Sequence, residues 1–265
     1  MIGAIAGDII GSVFEWNSTK STRFELFSDK SDFTDDSVLT FAVARAILDA
    51  HPNHPTAAEY GARLLEFGRA YPGRGYGGNF QQWLYSDDPS PYNSFGNGSA
   101  MRVSPVGFAF DDEATVLAQA AESAAPTHNH PEGVKGAQAT ALAILLARKG
   151  ASKEEIRARV QEKTGYDLSR SIKKIRPAYR YDVTCQGSAP EAIIAFLDAS
   201  DLESTIRNAI SLGGDADTQA CIAGGIAEAC YGVPPEIERE VRARLPKELL
   251  AILDEWQLRG LNISP

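Results

Sequence analysis

Two short runs hold the residues with the clearest chemical potential. Phe33-Thr34-Asp35-Asp36-Ser37 and Gly213-Gly214-Asp215-Ala216-Asp217-Thr218 each set two carboxylates and a threonine hydroxyl at the start of a helical pattern. Taken singly, each reads as a helix cap. Asp, Ser and Thr accept hydrogen bonds from the free N–H groups of a first turn, and acidic side chains suit the positive end of the helix dipole. One cap needs only one side chain, however, and adjacent carboxylates repel. Asp35, Asp36, Asp215 and Asp217 brought together would require cations. Asp215 and Asp217, two positions apart, cannot share a helical face. They converge only from an irregular turn, which Gly213-Gly214 permits. With Thr34 and Thr218 added, the donor set is all oxygen, which selects Mg2+ or Mn2+ over zinc. Four carboxylates exceed the needs of one ion, so a pair of ions about 3.5–4 Å apart is the natural expectation.

The elements that must position these groups are mostly helical. Ile2, Ile5, Ile9 and Val13 recur at helical spacing, separated by Gly3, Gly7 and Gly11. Each glycine weakens such a helix by about 1 kcal/mol relative to Ala, so close packing against a neighbour is expected to compensate. Further helices are predicted at 36–50, 56–70, 132–149, 152–163, 189–199, 202–211, 217–231 and 235–254. Strand signals are weak: Val103 to Phe110 is interrupted by Pro105 and Gly107. The reading is all-α, with one domain over 1–265. The loops 71–80, 86–99 and 124–131 have unusual compositions, and loops on a rigid scaffold commonly carry function.

Composition narrows the function. A net charge of −9 argues against general nucleic-acid binding, which needs clustered Lys and Arg. Backbone amides and metal ions can still hold an anionic ligand on an acidic protein. The three cysteines form no CxxC pair, which points to a reducing compartment and to thiols acting as small core residues. Residues 1–11 lack a basic n-region and include Asp8, so they do not read as a signal peptide. No apolar run approaches 18 residues, and no membrane span is expected. A cytoplasmic monomer is the expectation.

In order along the chain, the sequence presents Gly3-x3-Gly7-Asp8-x2-Gly11-x3-Glu15, Thr34-Asp35-Asp36, Gly75-Tyr76-Gly77, Gly96-Asn97-Gly98-Ser99-Ala100-Met101-Arg102, Thr127-His128 and the Gly213–Thr218 run. In this order and spacing the chain resembles the ADP-ribosylglycohydrolase family, which includes the glycohydrolase that reactivates dinitrogenase reductase. The resemblance implies a compact orthogonal multi-helix bundle around two Mg2+ or Mn2+ ions, and hydrolysis of the glycosidic bond between ADP-ribose and an acceptor. It implies metal ligation by Thr34, Asp35 and Asp36 from one side and by Asp215, Asp217 and Thr218 from the other. Glu15, Asp35 and Asp36 are the implied catalytic carboxylates. Gly75, Tyr76, Gly77, Ser94, Phe95, Gly96, Asn97, Gly98, Ser99, Met101 and His128 are the implied substrate contacts. The partner would be an ADP-ribosylated protein or a small ADP-ribose conjugate.

Each residue also has a plainer reading. Gly96, Asn97 and Gly98 suit a turn, Met101 suits a core, and Arg102 can pair with a carboxylate such as Glu122. Tyr76 and Phe95 are either stacking surfaces or loop anchors, His130 competes with His128, and Trp16 reads as structural. Ser94 stands where arginine-directed members carry an acidic residue, which puts arginine specificity in doubt. No clear aromatic residue in 181–188 matches the one some members place over the ligand, although Tyr181 or Phe196 can substitute. Cys185 reads as a buried, inert thiol. Two rivals stand beside the hydrolase. A non-catalytic ADP-ribose-binding module would be expected to have lost metal acids. A two-metal nucleotide phosphoesterase would be expected to recruit more histidines than His51, His54, His128 and His130.

Overall fold

In the computed structural model, which describes residues 1–261, the chain folds into α-helices joined by loops, and the described residues contain no β-strand. The helices are α1 (Ile2–Gly11), α2 (Asp35–Ala50), α3 (Ala57–Ala70), α4 (Gly78–Leu84), α5 (Gly98–Met101), α6 (Ser104–Ala109), α7 (Glu113–Ala124) and α8 (Pro131–Arg148). They continue as α9 (Lys153–Thr164), α10 (Ile172–Ile175), α11 (Cys185–Leu197), α12 (Leu202–Ile210), α13 (Ala216–Tyr231), α14 (Pro235–Arg244) and α15 (Lys247–Leu258). The fold is all-α. No helix among the described residues is long and apolar enough to cross a membrane.

The glycine stripe of α1 explains the centre of the molecule. Gly3, Gly7 and Gly11 lie one turn apart and face α13. A Cβ on Gly3 would sit 2.4 Å from Gly224 O, one on Gly7 2.0 Å from Ala220 O, and one on Gly11 2.5 Å from Asp217 Cα. The two backbones touch, so the cost of the glycines is offset by main-chain contact that no other residue allows. All ten residues of α1 are buried, as is α13 from Ala216 to Ala229. Glu228 of α13 reaches back to accept from Gly3 N at 2.7 Å, satisfying a free amide of the α1 first turn. This pairing sets the register of Asp8 and Glu15 against the α13 N-terminus.

Local sequence accounts for most boundaries. Thr56 and Ser152 head α3 and α9 with reciprocal capping boxes. The weak strand signal over Val103 to Phe110 gives way to α6, since proline is tolerated in a first turn. Two expectations are corrected. The helix read over 235–254 is two helices: Pro246 holds Leu245 in extended conformation (φ −94°, ψ 139°) and ends α14. The helix read over 189–199 starts at Cys185, capped by Thr184, with Pro190 inside it. The charged segment after Phe110 also holds a helix missing from the sequence reading, α7, capped by Asp112, which accepts from Thr115 N at 2.9 Å.

Candidate active site

The two acidic runs meet. Asp8, fully buried in α1, ties the N-terminus of α2 in place: it accepts from Thr34 N at 2.9 Å, Thr34 Oγ1 at 2.6 Å, Ser37 N at 3.1 Å and the Ser37 hydroxyl. Thr218 Oγ1 of α13 lies 3.4 Å from Asp36 Oδ2. Gly213 adopts a left-handed φ of +66°, and this turn delivers Asp215 as the residue that heads α13. Asn97 Nδ2 donates to Asp215 Oδ2 at 2.7 Å. Two triads of carboxylates result, Asp8–Asp36–Asp217 and Glu15–Asp215–Asp217, the oxygens within each lying within 4.8 Å of one another. Asp217 belongs to both.

The electrostatics are those of a site short of positive charge. Among the described residues, no lysine or arginine pairs with any of these carboxylates. Burial, followed by the charges of Asp8 and Asp215, pushes Asp35 well above the usual carboxylate range. Burial and then Asp8 and Asp35 do the same to Asp36, and burial with Asp36 and Asp215 to Asp217. Asp8 and Asp215 are raised by burial against the pull of their hydrogen bonds. Glu15, half-buried just beyond α1, is raised by burial and by Asp215. Asp36 Oδ1 is buried with no hydrogen-bond partner, a costly condition for a carboxylate oxygen. Cations held by these oxygens would supply the missing positive charge.

These carboxylates open onto a cleft of about 620 Å³, lined also by Gly75, Gly77, Ser94, Phe95, Gly96, Asn97, Gly98, Met101 and His128. The Gly96–Gly98 loop is pinned from behind: Asn97 N donates to Val183 O at 2.8 Å and Cys185 N to Phe95 O at 2.8 Å. Ser94 Oγ accepts from Gly96 N at 3.1 Å. Gly75, at φ +98°, places its loop against Asp35.

Three of the implied residues lie behind the wall instead. Tyr76 stacks under Phe80 and donates to Tyr71 O at 2.9 Å, so it anchors its loop while Phe80 faces the cleft. Ser99 is buried and donates to Gly133 O at 2.6 Å. Thr34, expected as a metal ligand, does not line the cleft, but its hydroxyl donates to Asp8 at 2.6 Å and lies 3.3 Å from Asp36 Oδ2, within the carboxylate cluster.

The open alternatives resolve. Arg102 does not pair with Glu122; it is fully buried and donates to Ser123 O and Thr127 Oγ1. Glu122 accepts from Ala57 N. His130 caps α8, while His128 faces the cleft, its basicity driven well below the ordinary value by burial and by Arg102. Phe196 is in the core, so of the two candidates it is Tyr181 that lines the cleft. Tyr181 OH lies 3.3 Å from Glu15 Oε1, and its ring stacks on Trp16, which is 83% exposed and so is not the structural residue expected. The Cys185 thiol is buried and pushed up to about 12, as befits an inert group.

Sequence reasoning gave no role to Asp8, Asn79, Phe80, Tyr92 and Thr184, all of which line the cleft or, for Asp8, brace the carboxylates. The signal for Asp8 was available: it is the lone charge in an apolar, glycine-striped helix.

A helical bundle with an all-oxygen carboxylate centre at a deep, glycine-walled cleft defines a class of candidate metal-assisted hydrolases. The particular family follows from comparison. A model of the ADP-ribosylglycohydrolase family matches residues 1–262, and the chain belongs to that family. It is 28% identical to the ADP-ribosylhydrolase ARH3 of Mus musculus, across 88% of this chain and 83% of that protein. It is 30% identical to the ADP-ribosylarginine hydrolase Tri1 of Pseudomonas putida, across 58% of this chain and 43% of that protein. A solved structure described as an ADP-ribosylglycohydrolase-related protein complex shares the fold, with a TM-score of 0.72 and 24% identity over 95% of this chain and 94% of that one.

Proposed function

We propose that this protein hydrolyses the glycosidic bond joining ADP-ribose to an acceptor, with two Mg2+ or Mn2+ ions as cofactors. The observation that carries the reading is the cluster of Glu15, Asp35, Asp36, Asp215 and Asp217 on the wall of one cleft, with Asp217 common to two carboxylate triads. Asp35, Asp36, Asp215, Asp217 and Thr218 would hold these cations through oxygen. Thr34 and Asp8 hold these ligands from behind. When bound, the cations supply charge compensation and polarise a water and the ribose hydroxyls.

The chain's own groups do the rest. Glu15, the half-buried member of the Glu15–Asp215–Asp217 triad, is open to the cleft, and its raised proton affinity suits it to take the proton of the attacking water. Asn97 holds Asp215 in orientation. The neighbouring carboxylates stabilise positive charge developing at the anomeric carbon. The Gly75–Gly77 and Gly96–Gly98 loops let backbone amides approach the pyrophosphate, so a protein of net charge −9 holds a dianion without a basic surface. His128 contributes a neutral donor along the same wall.

The test is release of ADP-ribose from arginine-, serine- and nucleic-acid-linked conjugates, with Mg2+, with Mn2+ and with EDTA. The reading requires release from at least one conjugate and its loss in EDTA. Tight ADP-ribose binding without any release would replace the hydrolase with a binding module.

A further inference from the structure

Behind the Gly96–Gly98 loop lies a contiguous chain of three buried polar side chains that the reaction itself does not use directly. Arg102 Nη2 donates to Ser123 O at 2.9 Å and to Thr127 Oγ1 at 2.8 Å, and Thr127 Oγ1 lies 2.7 Å from His128 Nδ1. Arg102 is 0% exposed, and its Nε and Nη1 are buried with no hydrogen-bond partner.

Donor counting fixes the direction of this chain. A guanidinium only donates, so the Thr127 oxygen accepts from Arg102. The Thr127 hydroxyl proton is then left with one acceptor in reach, the His128 Nδ1 lone pair. The opposite choice, a proton on Nδ1, would strand a buried hydroxyl proton, and leaving a donor unsatisfied costs more than a hydrogen bond gains. The ring proton therefore sits on Nε2. That nitrogen faces the glycine loop: it lies 3.1 Å from where a Cβ on Gly98 would stand and 3.7 Å from one on Gly96. A side chain at Gly98 would crowd it, and glycine there keeps the donor open to the cleft. The nearby guanidinium, with burial, also opposes a second ring proton.

We propose that Arg102 and Thr127 are positioning residues, which lock His128 in the tautomer that aims an Nε2–H along the Gly96–Gly98 loop at an anionic oxygen of the substrate pyrophosphate. The ligand side of this inference rests on the ADP-ribose reading above; the tautomer does not.

The experiment uses the full chain loaded with Mg2+. Ring 15N–1H correlation spectra, with the His128 signals assigned through His128→Gln, report the tautomer, and calorimetry reports binding of ADP-ribose and of adenosine, which lacks the phosphates. The wild-type protein and Thr127→Ser are expected to show a protonated Nε2 and a bare Nδ1. Thr127→Val is expected to lose that pure state and to bind ADP-ribose roughly tenfold more weakly, with adenosine binding unchanged. A wild-type ring protonated on Nδ1, or a folded Thr127→Val with wild-type ring signals, overturns the proposal. If Thr127→Val does not fold, the wild-type and Thr127→Ser spectra still decide it. Failure of the wild-type protein to bind ADP-ribose would instead sink the functional reading and leave the ring spectra to judge the tautomer.

Discussion

Asp217→Asn isolates the conflict between stability and function at the centre of this molecule. Asp217 faces Asp8 and Asp36 on one side and Glu15 and Asp215 on the other, with oxygens within 4.8 Å. At an effective dielectric of about 20, one fully ionised pair at that separation costs about 3 kcal/mol. Partial protonation relieves some of this, which is why these groups are shifted upward. Removing the shared charge should therefore stabilise the metal-free protein by about 1–3 kcal/mol, roughly 2–5 °C in Tm for a chain of this size. Asparagine can keep the bond that Thr218 N donates to Asp217 Oδ1 at 3.0 Å, and its amide donates to the remaining carboxylates.

The pH dependence has a definite sign. The raised folded-state pKa values mean that the native protein holds more protons than the unfolded chain. The site's contribution to stability is fully present below the ordinary Asp value and is lost as pH rises through the folded values. The advantage of Asp217→Asn in EDTA should thus grow as pH rises above the ordinary Asp value. Mg2+ at about a hundredfold over its Kd should stabilise the wild-type protein by about 2.7 kcal/mol and the variant by far less. The assay is thermal denaturation of both proteins in EDTA and across a Mg2+ titration. An advantage in EDTA that shrinks as pH rises above the ordinary Asp value, or an equal Mg2+ gain in both, would refute the charge argument.

Three further outcomes follow from the same geometry. Glu15→Gln should lower kcat by about 10²–10⁴-fold, with ADP-ribose affinity held within a few-fold in calorimetry, because Glu15 is partly exposed and glutamine has the same shape; unchanged kcat would remove it as the base. Gly7→Ala should destabilise the protein by about 2–3 kcal/mol in urea despite the better helix propensity of alanine, since its Cβ would meet Ala220 O at 2.0 Å; a neutral effect would contradict backbone contact between α1 and α13. Trp16→Ala, at a site 83% exposed, should leave urea stability within about 0.5 kcal/mol while reducing kcat through the loss of the Trp16–Tyr181 stack beside Glu15; a fully active variant would show that the stack does not hold Glu15.

The sequence by itself determined the all-α character, because helical periodicity and caps are local properties: Thr34, Thr56, Ser152 and Asp201 each announce the helix they head. It also disclosed the two acidic runs and the glycine-rich loops, since unusual composition is visible without a fold. Where local signals conflicted it misplaced elements, as at Pro246, whose effect on Leu245 splits one apparent helix into two. Only the tertiary structure decided that the acidic runs meet. That depends on α1 pressing its glycine stripe onto α13, a contact between segments far apart in the chain that no local pattern encodes. The same packing gave Asp8 its work, turned Tyr76 and Ser99 away from the cleft, and left Arg102 buried without a carboxylate. A side chain's type sets what chemistry it can do, but its neighbours set its charge, its tautomer and the direction it faces.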